Sequence, residues 1–304
     1  MGNLIRTFRR SSLSDKIFYT IVDILMLAAL MMVVIPIMNV ISNSISEPSA
    51  VLQGKVSIFP KGLSFDGYKA VFADNKIISG YANTILYTVS STVLGVIVTV
   101  LCAYPLSRKD LKGRNTIMFL VTFTMLFSGG IIPNYLLIRS LHLINSRLSL
   151  ILPGLINAYN IIIARTFFQS SIPDSLLEAA EIDGCGNMRF FCTIVLPLSK
   201  AILAVLALYF AVANWNAWFN AYIYLSEPKK YPLQLVLKEI LLANSMAAGG
   251  DTVGGADGDK AKMDALSEVI KYASIMVSCL PIWCAYPFVQ KYFVQGVMIG
   301  SIKG

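Results

Sequence analysis

Charged residues are scarce. Only 14% of the 304 residues are Asp, Glu, Lys or Arg, against about a quarter in an ordinary soluble domain. That scarcity excludes a single water-soluble globule. Histidine is scarcer still: His142 stands alone, which excludes most metal sites and any catalytic arrangement that needs a second imidazole nearby. The cysteines Cys102, Cys185, Cys192, Cys279 and Cys284 are odd in number and show no CxxC spacing. Neither a disulfide framework nor a zinc site is indicated, and they read as small apolar packing residues. The sequence also lacks the phosphate-binding pattern GxxxxGK followed by Ser or Thr. The chain therefore cannot itself cradle ATP phosphates, and any energy it uses comes from a partner.

Apolar residues are abundant, at 56% of the sequence with a mean hydropathy of +0.67. They gather into long uncharged runs. A bilayer core of about 30 Å needs about 20 helical residues, and six segments meet or approach that length: 17–41, 81–106, 116–138, 148–164, 201–225 and 272–289. Asp23 is the only charge within them. The expected fold class is an all-α polytopic membrane protein with six transmembrane helices filling a domain over 17–290. The first run is too long for a signal-peptide core and lacks a small-x-small cleavage site, so it is expected to remain as a span.

The net charge of +8 comes from 25 Lys and Arg against 17 Asp and Glu. Dense basic clusters fall at Arg6, Arg9, Arg10 and Lys16, and at Arg108, Lys109, Lys112 and Arg114. Placed on the inner side of a membrane, they give a cytoplasmic segment 1–16, a cytoplasmic tail 291–304 and both termini inside. Because the charges are dispersed between apolar runs, nucleic acid is not an expected partner.

Two long segments then lie outside. The first, 42–80, mixes Pro, Gly, polar and aromatic residues and is expected to be a folded cap or loop. The second, 226–271, contains the stretch GGDTVGGADGDK, a mobile loop by composition whose aspartates lack the order of a calcium-binding hand. Helix breakers interrupt several spans, at Pro36, Pro105, Gly129 with Gly130 and Pro133, Pro153 with Gly154, and Pro281 with Pro287. In lipid such breaks survive where neighbouring helices or a water-filled cavity satisfy the freed backbone.

The most informative stretch is 171–201, SIPDSLLEAAEIDGCGNMRFFCTIVLPLSKA. Pro173 and Asp174 suit a helix start and Gly184 suits the left-handed position at a helix end, which predicts a short helix from Asp174 to Asp183. Leu177 and Ala180 share one face, and Ala179 and Ala180 permit close approach by another surface. The stretch resembles the EAA loop of binding-protein-dependent ABC importer permeases: Glu178-Ala179-Ala180, three residues, Gly184, nine residues, then Ile194-x-Leu196-Pro197. The runs at 83–88, 129–135 and 214–221, with the tail from Tyr292, resemble the carbohydrate-uptake permeases of the maltose type. More narrowly, they resemble its oligosaccharide branch, which includes alginate and pectin-fragment importers.

The resemblance implies a type I ABC importer permease fold in a bacterial cytoplasmic membrane. A coupling loop over 171–200 would dock on an ATPase through Glu178, Ala179, Ala180, Asp183 and Gly184, and the tail would reach the same partner through Gln295, Gly296 and Gly300. It implies as partners a second homologous permease, two cytoplasmic ATPase subunits and an extracytoplasmic sugar-binding protein. ATP and Mg would be held by the ATPases, with no cofactor in this chain. Aromatic and amide side chains suit a sugar path, and the candidates are Asn134, Tyr135, Asn157, Tyr159, Asn160, Asn214, Trp215, Asn216 and Trp218, with Asn220 and Tyr222 beside them. The same residue types also build interfacial belts and interhelical hydrogen bonds, and in the maltose type most sugar contacts come from the other permease. Alternatives are an importer for a non-sugar solute, a membrane enzyme using Glu178, Glu181 and Asp183, or a secondary transporter, for which Asp23 is the only charge even near a span.

Overall fold

The computed structural model describes residues 12–249 and 257–301. Their regular structure is helical, joined by loops, with a single isolated bridge, Ser46 to Leu63, and no strand among the described residues. The helices are α1 Leu13–Ser44, α2 Pro48–Leu52, α3 Asp66–Ala73, α4 Asn75–Ser107, α5 Arg114–Leu126, α6 Ile131–Ser140 and α7 Leu148–Ile151. They continue as α8 Ala158–Ser171, α9 Asp174–Ile182, α10 Asn187–Leu198, α11 Lys200–Trp215, α12 Phe219–Tyr224, α13 Leu233–Gly249 and α14 Asp257–Ser301. The chain divides into two compact units, Met1–Ala73 with Leu241–Val277, and Asp74–Ile240 with Ser278–Gly304.

The first unit begins with a capping box. Ser12 Oγ accepts from Asp15 N while Asp15 Oδ2 accepts from Ser12 N, which satisfies two backbone donors that a helix start would otherwise leave open. Over 32 residues α1 stays apolar, and none of its most hydrophobic 18-residue window is buried. Only its last turn, Ser42 to Ser44, turns inward. There Asn39 Nδ2 donates to Ser57 O, and Ser44 Oγ lies 2.9 Å from the Tyr68 hydroxyl. The segment after α1 is thus a folded cap rather than a loose loop, seated on Val51, Val56 and Val269.

In the second unit the 33-residue α4 is the axis, packed by α8 and α11. Asp74 caps it by accepting from Lys76 N. In lipid the helices gain little from water exclusion and associate through close packing of small residues. Gly95 supplies such an approach: a Cβ there would stand 2.6 Å from Cε1 of Phe210. Ala103, Ala164, Leu206 and Phe168 complete the core, each at most 1% exposed.

Among the described residues three helices are long and apolar enough to cross a membrane, or up to five if each bent pair counts as one span. The run 116–138 is a bent pair, α5 and α6, turning by 113° at the Gly129-Gly130 break. A second bend, of 80°, separates α10 from α11. The run 148–164 is not one continuous helix. It stops at Ile151, passes Pro153 and Gly154, and resumes at Ala158, where the Asn157 side chain accepts from Asn160 N at 3.1 Å. Proline offers no N–H to a continuing ladder, and the Asn157 cap starts a new helix instead. The run 201–225 is likewise divided, between α11 and α12, and 272–289 lies wholly inside α14.

Candidate functional site: an exposed short helix and an uncharged cavity

Helix α9 is built as its sequence predicts. Pro173 precedes it with extended backbone, Asp174 opens the first turn, and Gly184 follows at φ 71°. Cys185 N donates to Ala180 O at 2.8 Å and Gly184 N to Glu181 O at 3.0 Å. These are the two bonds of a Schellman closure, which requires the left-handed backbone that glycine adopts without strain. Ala180 is buried and Leu177 half-buried against the core formed with Phe168 and Phe190. The other face is open: Leu176, Glu178, Ala179, Glu181, Ile182 and Asp183 are exposed, Ile182 at 87%. A rigidly closed helix with a mixed apolar and acidic outer face is suited to docking.

The basic loop between α4 and α5 clamps this helix. Lys109 Nζ meets Asp174 Oδ2 at 2.6 Å, at the start of α9. Arg108 Nη1 donates to Asn187 Oδ1 at 3.0 Å, at the start of α10. Arg108 is itself oriented by Asp110, with Nε and Nη2 each 2.8 Å from a carboxylate oxygen. That paired hydrogen bond holds Asp110 below the usual carboxylate range and raises the Arg108 guanidinium above its own. Arg165 Nε donates to Leu106 O and Arg114 Nη1 to Arg108 O, so the end of α4 is tied to α8 and α5. The charges expected as membrane anchors thus also brace the short helix, a role that spacing in sequence does not reveal. Just beyond, Pro197 has no N–H for the Thr193 carbonyl, and Phe191–Val195 forms a π-helical turn, the local widening such a break permits.

A cavity of about 430 Å³ opens among α4, α8, α11 and α12, within the range of small-molecule sites. It gathers Asn157, Tyr159, Asn160 and Asn214 from the expected sugar path, and Asn220 beside them. Tyr87 and Tyr209 also line it and were missed, since each lies in an apolar run where tyrosine reads as packing. The remaining candidates lie elsewhere. Trp215 is buried, its Nε1 donating to Ser278 O at 3.1 Å. Trp218 lies under the Lys238 ammonium, 3.1 Å from the ring centroid. Asn216 is exposed with Nδ2 donating to Val212 O, Tyr222 has Lys238 Nζ 5.5 Å from its ring centroid, Tyr135 stacks on Tyr224, and Asn134 is exposed on α6. Gln295, Gly296 and Gly300 fall on α14 outside the residues whose side chains are described.

One edge of the cavity is pinned by a network that the sequence analysis also missed. Tyr87 Oη donates to Lys230 O at 2.8 Å, and Asn83 Nδ2 to Lys229 O at 2.7 Å. Asn145 binds the same loop from the other side: its Nδ2 donates to Glu227 Oε1 and its carbonyl accepts from Lys230 Nζ. Pro232 of the cavity wall follows directly.

Long apolar helices, a rigidly closed exposed helix and an uncharged interior cavity define a membrane-embedded transport subunit. No family model matches the chain. Individual relatives do. The polygalacturonan/rhamnogalacturonan transport system permease protein YtcP of Bacillus subtilis (strain 168) is 38% identical over 296 residues, 96% of this chain and 100% of the relative. Protein LplC of the same organism is 40% identical over 272 residues, 89% of this chain and 90% of the relative. A crystal structure of a bacterial ABC transporter involved in import of the acidic polysaccharide alginate has a chain 35% identical to this one. The TM-score is 0.83, with 93% of this chain and 99% of that one covered.

The chain belongs to the family of sugar ABC importer permeases. It is a membrane protein with that family's all-α fold, and membership implies a binding protein, a second permease and ATPase partners.

Proposed function

We propose that this chain is the permease subunit through which an ATP-driven importer takes up oligosaccharides delivered by an extracytoplasmic binding protein. It performs no chemistry itself, and ATP and Mg belong to the partner ATPases. Both termini lie in the cytoplasm, where the basic clusters face the anionic inner leaflet. Among its relatives are a polygalacturonan/rhamnogalacturonan transport system permease and a transporter involved in import of the acidic polysaccharide alginate, which supports a saccharide cargo.

The observation that carries the coupling role is α9. Its inner face is buried, its end is closed by Gly184, and the loop after α4 holds its start through Lys109 and the start of α10 through Arg108. Docked through Glu178, Ala179 and Asp183 in a cleft of the ATPase, such a helix moves as a rigid lever and passes ATP-driven closure into α4, α8 and α10. Ala180, facing inward, seats the lever rather than touching the partner. The tail residues Gln295, Gly296 and Gly300 are a second contact in the same reading.

Glu178→Lys reverses charge on the outer face, and Gly184→Pro demands a negative φ where 71° is needed. Each is expected to lower sugar-stimulated ATP hydrolysis of the reconstituted complex about tenfold or more, on the scale of a coupling free energy. Size-exclusion chromatography is expected to show the complex still assembled. Unchanged stimulation in both variants would refute the lever.

A further inference from the structure

A second cavity, of about 320 Å³, opens where the loop after α4 meets the start of α9. Helix α4, long and apolar enough to span, ends at Ser107, and α5, the first half of a bent pair, begins at Arg114. The cavity therefore lies at the edge of the bilayer. Its lining is divided. Phe168 and Phe190, each 1% exposed, line it together with Ile172 and Leu177, and so do three cations, Arg108, Lys109 and Arg114. Two of the cations have carboxylate partners: Arg108 is chelated by Asp110, and Lys109 is paired with Asp174. Arg114 has no such partner among the described residues. Its one hydrogen bond runs from Nη1 to Arg108 O at 3.0 Å, which leaves Nε and Nη2 open, and the residue is half-buried. A cation drawn out of water without a counter-charge is costly, and the guanidinium fork matches a phosphate in geometry as well as in charge.

We propose that this cavity binds one anionic phospholipid, whose phosphate takes the open guanidinium edge of Arg114 and whose glycerol and first methylenes lie against the apolar lining. Basic pockets between helix ends on the side of the anionic leaflet suit such headgroups. The apolar half of the lining favours a lipid over free phosphate, which has no methylenes to bury. The cavity admits a headgroup and the start of the chains, and the rest of the lipid stays in the bilayer. Selectivity follows from charge. The choline of a zwitterionic lipid would bring a fourth cation among three, whereas a glycerol headgroup leaves the phosphate charge uncompensated for Arg114. Asp174 and Leu177 of α9 also line the cavity, so the lipid becomes part of the seat of that helix. The binding rests on the membrane setting of the chain and not on the lever reading of α9.

The test uses the assembled complex in nanodiscs of equimolar phosphatidylglycerol and phosphatidylcholine with identical chains. The photoreactive residue p-benzoylphenylalanine stands in place of Gln169, an exposed residue of the cavity lining. After illumination, mass spectrometry of this chain identifies the captured headgroup. Phosphatidylglycerol is expected in about fivefold excess, the scale of one basic residue at an anionic surface. Arg114→Gln is expected to return the ratio to that supplied. If that variant fails to assemble, the parent at high salt takes its place, and the excess is expected to shrink as the ionic contact is screened. The same probe in place of Phe119, further along α5 and 67% exposed, is expected to capture both lipids as supplied. Millimolar inorganic phosphate is expected to leave the capture at Gln169 unchanged. No lipid captured at Gln169, an equal excess at Phe119, a ratio indifferent to Arg114 and to salt, or displacement of the lipid by phosphate would overturn the site. Gly184→Pro separates the two readings: it is expected to keep the captured excess while stimulated ATP hydrolysis is lost.

Discussion

Gly95 shows how narrowly single positions are set. With Phe210 Cε1 only 2.6 Å from where a Cβ would stand, Gly95→Val must displace a ring that fills the contact between α4 and α11. Overpacking of that kind costs about 1–3 kcal/mol, and a lower melting temperature of the assembled complex is expected. Gly154→Ala meets nothing within 4 Å and serves as the neutral comparison. Asp110 sets a second residue-scale expectation. A carboxylate held below its ordinary value contributes its stabilisation above the unfolded pKa, 3.8, and loses it only as pH falls through the lower folded value. The Arg108 chelate therefore persists across roughly pH 5–8, and stimulated activity of Asp110→Asn should differ from the parent by a constant factor over that window. A titration step appearing there would contradict the assignment. At this scale the spacing of Leu177 and Ala180 revealed an inward face, because helical period alone decides it. The burial of Trp215 was not legible, because its partner Ser278 is 63 residues away in sequence.

At the scale of elements, α9 and its brace make the sharpest expectation. Lys109 and Asp174 are both more than half exposed, at 76% and 56% of their side chains, and an exposed pair is worth about 0–1 kcal/mol. Stability should barely change when either is reversed. If the pair transmits movement, Lys109→Asp and Asp174→Lys should each weaken sugar-stimulated ATP hydrolysis, and the double variant should restore it. Failure of the double variant to recover would remove the pair from the lever. The extent of α9 was readable because proline, aspartate and glycine act locally on φ and on capping. The break in 148–164 was visible as Pro153 with Gly154, though not as two separate helices, and the break in 201–225, which holds neither proline nor glycine, was not visible. A hydrophobic run reports which solvent a segment suits, and it does not report whether the hydrogen-bond ladder runs through it.

For the whole molecule, α1 is the clearest case of an element the chain does not cover by itself. None of its most apolar window is buried. In a membrane, Cys substituted for Leu25 or Met32 in a cysteine-free background should resist a charged thiol reagent applied from either side, and become reactive in the denatured chain. Reaction with the folded complex would place α1 in water and contradict the membrane reading. Composition, uncharged runs and the EAA spacing were enough to determine the class, the helical fold and the position of the short helix. Those properties follow from local propensity and from solvent preference, which each segment expresses alone. Only the tertiary structure decided that Lys109 reaches the start of α9 and Arg108 the start of α10, that Tyr87 and Tyr209 join Asn160 at one cavity, and that Trp215 and Trp218 stand outside it. Such pairings depend on which faces of distant helices meet, and that is set by the close approach of backbones at positions such as Gly95 rather than by any pattern along the chain.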